Sequence, residues 1–242
     1  SQVPVGVSIG LQADTGLLVE AAREYLQQGY RRVKIKIKPG RDLEDVRAVR
    51  RAFPDLALQV DANSAYTLAQ APLFEALDAY DLILIEQPLA EDDLLDHASL
   101  QARLRTPICL DESILTVRHA EQALAIDACR VVNIKAGRVG GLTEARAIHD
   151  LCHDRGVPVW CGGMLETGIG RASNLALASL PGFTLPGDIS ASSRYYARDI
   201  AEPTFGLNPD GTIDVPTQPG LGVRVLDKEL AAVTLRAETY RP

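Results

Sequence analysis

What this 242-residue chain has little of narrows its chemistry first. Cysteine occurs four times, at Cys109, Cys129, Cys152 and Cys161, and no two stand as C-x-x-C. That spacing disfavours a zinc ribbon or a redox pair and points to small buried thiols in a reduced, cytoplasmic protein. No apolar run approaches the roughly 18–20 residues that span a bilayer, and no charged-then-apolar leader opens the chain, so no membrane partner is expected. Positive charge is in deficit: the net charge is −7 and the sequence pI ≈ 5.2. A phosphate backbone would repel such a chain, so no nucleic-acid partner is expected. Methionine is nearly absent, the single one being Met164, and the chain begins at Ser1. Because the residues from Val3 to Ile9 already read as a strand, the sequence is expected to be a piece of a longer chain.

The 46% hydrophobic content is enough for a sizeable core. Short apolar runs alternate with helical patterns, the signature of βα units around a parallel sheet. Strands are expected at residues 3–8, 33–36, 57–61, 82–86, 107–111, 131–135 and 157–162, with a weaker eighth at 186–188. Asp42 and Asp45 open a helix that Pro54 stops, Thr67 and Gln70 have capping-box spacing, and Gly29 and Gly156 stand where helices end. The polar residues closing strands two to six are Lys36, Asp61, Glu86, Asp111 and Lys135, separated by 25, 25, 25 and 24 residues. No residue-level repeat accompanies this spacing, so it is a period of architecture. Eight such units account for roughly 200 residues, which predicts an α/β fold of the TIM-type (β/α) barrel class. The barrel is assigned to residues 1–200. A tail at 201–242, rich in turn signals such as Asn208-Pro209-Asp210-Gly211, is expected to pack on the barrel and on a part of the protein outside this sequence.

Side chains alternate across a strand, so in Val33-Lys34-Ile35-Lys36 the branched residues meet the helices and the lysines point to the barrel axis. The same parity turns Gln59, Asp61, Asn63, Glu86, Asp111, Asn133 and Lys135 inward. Barrel interiors are normally packed with Val, Ile and Leu, and buried charge is costly unless paired or metal-bound. One such residue alone reads as a paired charge or a helix cap. Five closing five consecutive strands, at the face where barrel enzymes keep their sites, read as a functional centre. Asp61, Glu86 and Asp111 on adjacent strands form an all-oxygen set suited to Mg²⁺ or Mn²⁺. Lys36 and Lys135 flank them, an arrangement suited to moving a proton at the carbon beside a metal-bound carboxylate, with the metal neutralising the enediolate. Repulsion from Lys34 is expected to lower the pKa of Lys36 and make it a usable base.

The stretches Lys34-Ile35-Lys36, Asp61-Ala62-Asn63, Glu86-Gln87-Pro88, Asp111-Glu112-Ser113 and Asn133-Ile134-Lys135 resemble the enolase superfamily, in particular its muconate-lactonizing-enzyme subgroup. That superfamily is known for pairing a Lys or His base with Mg²⁺. Within the subgroup, the run from Gly162 to Arg171 and Leu185-Pro186-Gly187-Asp188 resemble the N-acylamino acid racemase and o-succinylbenzoate synthase branch. The resemblance spans Ser8 to about Asp188. It implies Asp61, Glu86 and Asp111 as metal ligands and Lys36 and Lys135 as the acid/base pair. Ser8, Lys34, Asn63, Gly163, Met164, Leu165 and Asp188 would then be supporting or substrate-touching residues. It further implies the (β/α)7β variant of the barrel, a homo-oligomer, and an N-terminal α+β capping domain onto which the tail folds.

Two departures narrow the branch. Mandelate-racemase relatives place a His at the end of strand seven, where this chain has Trp160-Cys161-Gly162-Gly163. Dipeptide epimerases carry two aspartates on strand eight to hold an ammonium, where this chain has Asp188 and Ser190. An acylated amine, or none, is therefore expected on a small-molecule carboxylate substrate.

The expected reaction is racemisation of N-acyl, for example N-succinyl, α-amino acids. Dehydration to o-succinylbenzoate by the same residues is the alternative. A Schiff-base barrel using Lys36 or Lys135, and a non-catalytic binding barrel, are readings from other classes. The glycines of Gly168-Ile169-Gly170 are expected to leave backbone room for a bulky substrate rather than cradle a phosphate. His149 and His153, four apart on a helix, are expected on its surface face rather than as a ligand pair.

Overall fold

The structure, a computed structural model, describes residues 1–240. Arg241 and Pro242, the last two residues of the expected tail, lie outside the described residues. After a short β1 (Gln2–Pro4), seven parallel strands follow one another around a ring in chain order. They are β2 (Val7–Ile9), β3 (Arg32–Lys36), β4 (Ala57–Asp61), β5 (Ile85–Glu86), β6 (Ile108–Leu110), β7 (Val131–Ile134) and β8 (Val159–Cys161). Each is followed by one α-helix on the outside: α1 (Thr15–Gln27), α2 (Asp42–Ala52), α3 (Ala71–Leu77), α4 (Leu94–Gln101), α5 (Val117–Ala125), α6 (Leu142–Asp154) and α7 (Gly168–Ala178).

Local chemistry explains the repeat. On β3, Val33 and Ile35 are fully buried, the branched face that covers itself with helices. Helix α2 carries Asp42, Glu44 and Asp45 in its first turn and Arg50 and Arg51 in its last, complementing the helix dipole at both ends. Asp14 caps α1 by accepting from the Leu17 amide at 2.8 Å, and the Thr67–Gln70 capping box forms as its spacing predicts. Gly29 and Gly156 take the positive φ expected of helix ends.

The ring closes through the segment before Asp188. Gly187 donates to the Pro4 carbonyl at 3.1 Å, Gly6 donates to the Gly187 carbonyl at 2.7 Å, and Asp188 donates to the Cys161 carbonyl at 2.9 Å. That segment thus bonds to both open edges and occupies the eighth place, with no barrel helix after it, which is the (β/α)7β arrangement. The expected eighth strand at 186–188 is corrected to one isolated bridge, between Val5 and Gly187, rather than a regular strand. Pro186 has no amide hydrogen to give a ladder.

Two further strand expectations change. The stretch 3–8 breaks at Val5-Gly6, so that β1 pairs antiparallel with β10 (Thr212–Asp214) while β2 joins the barrel. A Cβ on Gly6 would lie 2.3 Å from Arg32 Nε, so the chain must pass this point without a side chain. The stretch 82–86 keeps only β5 as regular strand.

In the tail, β9 (Ala201–Glu202) pairs with β11 (Arg224–Val225), and Phe205 and Ile213 enter the main core. Helix α8 (Asp227–Val233) buries no residue. All four cysteines are free and buried. His149 corrects its expected surface placement: it is 2% exposed and accepts the Gly182 amide on Nε2 at 2.9 Å, while Nδ1 lies 2.8 Å from Asp150. Its helix face turns toward the loop that leads into ring closure. Among the described residues no helix is long and apolar enough to cross a membrane.

Candidate active site

The barrel interior is layered. Leu84, Cys109, Val131 and Trp160 form an apolar plug, with the indole N–H donating to Cys109 Sγ at 3.2 Å. Above it the strands end in charge. Lys34 rests over the Trp160 ring at 4.8 Å and reaches three carboxylates: Glu86 at 2.8 Å, Asp188 at 2.9 Å and Asp61 at 3.2 Å. Asp61, Glu86 and Asp111 are at most 1% exposed. Inward parity brings them together because β4, β5 and β6 are neighbours, β4 and β5 ending in Asp61 and Glu86 and β6 leading directly into Asp111.

Nearer the mouth, Lys36 donates to Asp61 Oδ2 at 2.6 Å and also contacts Asn63 Oδ1. Lys135 donates to Asp111 Oδ2 at 2.7 Å, and Arg138 contacts the other Asp111 oxygen. The two lysines thus stand on β3 and just after β7, on opposite sides of the trio. They open into a cavity of ≈ 360 Å³ that Ser8, Asn63, Gly163, Met164, Leu165 and Asp188 also line. Every site residue expected from the sequence is therefore in this wall or in the carboxylate layer beneath it.

Electrostatics follow from that packing. Burial pulls the Lys34 ammonium down, but Asp188, Glu86 and Asp61 outweigh it and hold the group well above the ordinary lysine range. Burial pushes the Glu86 carboxyl up to about 8; Lys34 offsets part of this, and Asp61, Asp111 and Asp188 add to it. Asp61 is also pushed up by burial, yet Lys34 and Lys36 prevail and leave it below the usual carboxylate value.

The surroundings are built tightly. Gln87, at φ 38° and fully buried, accepts the amides of Asp111 and Ser113 on Oε1 at 2.9 and 3.2 Å. Its backbone carbonyl accepts from Ser64, so one residue ties the ends of β4, β5 and β6 together. Asn63 and Ser64 share the left-handed region at φ 41° and 61°, strain of the kind functional sites carry. A Cβ on Gly162 would meet Asn133 Oδ1 at 2.3 Å and Lys135 Cε at 2.7 Å. One on Gly163 would meet the Asp188 carbonyl at 2.1 Å. At Gly168 and Gly170 the space goes to Asp199 and Glu166, which corrects the expectation of room for substrate there.

Several residues escape the strand-end pattern. Arg32 is fully buried beneath Asp188, donating to Asp188 Oδ1 at 2.6 Å and to the Pro186 carbonyl at 2.8 Å. Parity with Lys34 and Lys36 could have found it. With Ser8 at 2.7 Å and Lys34 at 2.9 Å on Oδ2, Arg32 saturates both Asp188 oxygens. Glu112, Ser190, Arg194 and Tyr195 also line the cavity; they come from loops and from the short 3-10 turn Ser192–Arg194, where no periodicity marks them. Arg138, three residues past Lys135 in the same loop, lands on Asp111.

The donor set fits a hard divalent cation: three buried carboxylates on adjacent strands, one of them driven toward neutrality by burial and by its like-charged neighbours. Among the described residues no three metal-binding side chains stand as a ready-made cage, and Lys36, Lys135 and Arg138 lie on the carboxylate oxygens.

Comparison with known proteins agrees with this geometry. The chain is 57% identical over 233 residues to an N-succinylamino acid racemase from an Amycolatopsis species, covering 96% of this chain and 63% of that protein. It is 55% identical over 239 residues to an o-succinylbenzoate synthase from Geobacillus kaustophilus, covering 99% of this chain and 64% of that protein. The chain therefore spans somewhat under two thirds of the length of these relatives. A solved structure described as a member of the enolase superfamily from Listeria innocua superposes with a TM-score of 0.92 at 50% identity, over 96% of this chain and 62% of that one. Residues 17–229, from the first barrel helix to the tail, match the family model described as enolase C-terminal domain-like, and the chain belongs to that family.

Proposed function

We propose that this chain is the catalytic barrel of a divalent-metal-dependent enzyme that racemises N-acyl, in particular N-succinyl, α-amino acids. The observation that carries the reading is the placement of Lys36 and Lys135 on opposite sides of the Asp61–Glu86–Asp111 trio, each within 2.7 Å of one of its carboxylates. Asp61, Glu86 and Asp111 would hold Mg²⁺ or Mn²⁺. When bound, the ion supplies Lewis-acid stabilisation of charge building on the substrate carboxylate. One lysine takes the α-proton from one face of the substrate carbon, and the other, as its ammonium, returns a proton to the opposite face. The roles exchange for the other enantiomer, which is what racemisation requires. Lys34 and Asn133 fix the Glu86 oxygens at 2.8 Å each, so they orient the trio. Asp188, already held by Arg32, Ser8 and Lys34, has its charge matched by two cations, which supports a neutral, acylated nitrogen.

The relatives favour a second reading, since close ones carry the name o-succinylbenzoate synthase. There the same proton removal leads to loss of water, one lysine acting as base and the other staying cationic. The test is proton NMR in D₂O with the full-length protein and Mg²⁺, with and without chelator. Chelator-sensitive exchange of the α-proton in both enantiomers of an N-acylamino acid is expected. Dehydration without any exchange of acylamino acids would leave the synthase reading alone, and activity insensitive to chelator would overturn both.

A further inference from the structure

We infer that Arg194 binds the second carboxylate of a dicarboxylate substrate, the one carried on its acyl arm; this rests on the function proposed above. Five cationic side chains line the cavity: Lys34, Lys36, Lys135, Arg138 and Arg194. The first four each contact a carboxylate of the site. Arg194 has no such partner among the described residues. Its Nη2 donates to the Ser8 carbonyl at 2.5 Å, while Nε and Nη1 are buried without any acceptor. Two guanidinium nitrogens withdrawn from water with donors unmade are an exception, and the planar fork of a half-buried group on the cavity wall suits a carboxylate.

Its surroundings hold it ready. The guanidinium lies over the rings of Tyr25 at 4.6 Å and Tyr195 at 5.3 Å, which fix its plane without neutralising it. Arg171, buried at the base of this segment, contacts the Ser190 carbonyl, and Tyr196 donates to the Leu165 carbonyl at 2.6 Å. The Arg194 segment is thereby tied to the Gly163–Leu165 wall of the same cavity.

Position gives the substrate its length. Arg194 is anchored on β2, and around an eight-place ring β6 lies four places away, directly across. A substrate whose reacting carboxylate meets the Asp61–Glu86–Asp111 side therefore extends its other end toward Arg194, passing between Lys36 and Lys135. An N-succinyl group carries a carboxylate there; an N-acetyl group does not.

The test compares N-succinyl and N-acetyl forms of one amino acid with the full-length protein and Mg²⁺, in wild type, Arg194→Met and Arg194→Lys. The ratio of kcat/KM for N-succinyl over N-acetyl is expected to fall about 10–100-fold in Arg194→Met, mainly through KM, the size of a lost charged hydrogen bond. Arg194→Lys should recover part of it. An unchanged ratio, with both substrates losing equally, would overturn the assignment and leave Arg194 a structural residue. A second arm needs no turnover: calorimetric binding of N-succinylglycine against N-acetylglycine. Preference for N-succinylglycine in wild type and its loss in Arg194→Met support the subsite, and equal affinities in wild type refute it. Absence of α-proton exchange in wild type would sink the proposed reaction, while the binding arm would still decide Arg194.

Discussion

Single side chains set the chemistry through what surrounds them. On the proposed reading Lys36 and Lys135 face opposite sides of the substrate carbon, so losing one or the other spares exchange of a different enantiomer. Lys36→Ala and Lys135→Ala are each expected to lower racemisation kcat/KM by about 10²–10⁴, the usual contribution of a general acid or base. Each variant should still exchange the α-proton of one enantiomer in D₂O, and the two variants should spare opposite ones; loss of exchange for both enantiomers in both variants would contradict the two-base reading. Gln87 acts one step further out. Gln87→Met keeps the bulk but removes the acceptor for the Asp111 and Ser113 amides. Supporting groups of this kind are worth about 10–100-fold in metal affinity. A drop of that order in Mg²⁺ affinity by calorimetry is the expected outcome, and an unchanged affinity with a lowered melting temperature would make Gln87 structural only. The sequence marked the lysines and acids because charge at an inward strand position is anomalous. Gln87, as a neutral residue, is not.

At the scale of elements, strand parity carried most of the information. Alternation in Val33-Lys34-Ile35-Lys36 was enough to aim the lysines inward, and the same logic extended to Arg32 would have exposed the ion pair beneath Asp188. Loops obey no such rule, which is why Arg194 and Tyr195 emerged only with the tertiary structure. Connections between elements also carry stability. Asp78, at the end of α3, accepts the amides of Arg105 and Thr106 at 2.9 and 2.8 Å, pinning the turn that leads into β6 and hence to Asp111. Burial pushes its carboxyl up, but the hydrogen bonds from Thr106 and Arg105 prevail and hold it below the ordinary value. A carboxyl depressed on folding stabilises above its unfolded pKa of about 3.9, and that stability is lost as pH falls through the lower folded value. Asp78→Ala should therefore destabilise by about 1–2 kcal/mol at pH 7, with the gap to wild type in urea midpoint closing below about pH 4. A gap independent of pH would show that the carboxylate charge contributes nothing.

For the whole molecule, ring closure is what makes a site out of separate strand ends. The 24- and 25-residue period announced a ring of βα units, yet closure itself rests on a few hydrogen bonds of Gly187 and Asp188 to the two free edges. Filling the centre of that ring should stabilise all of it, because the proposed Mg²⁺ would bind only with three strands in place. At about 100 times its Kd the ion adds about 2.7 kcal/mol, which for a chain of this size raises the melting temperature by roughly 5–10 °C. Asp61→Asn should abolish most of that shift in a thermal scan, and a shift retained in full would place the ion elsewhere. By itself the amino-acid order determined the architecture and the five charged strand ends, and it pointed to the proposed two-lysine chemistry, because period and parity are properties of neighbours along the chain. Only the tertiary structure decided that Lys34 is shared among three carboxylates, that Asp188 is saturated from below, and that one arginine in the wall is left with donors to offer. Those outcomes depend on distances between residues up to 186 positions apart, and no local pattern encodes them.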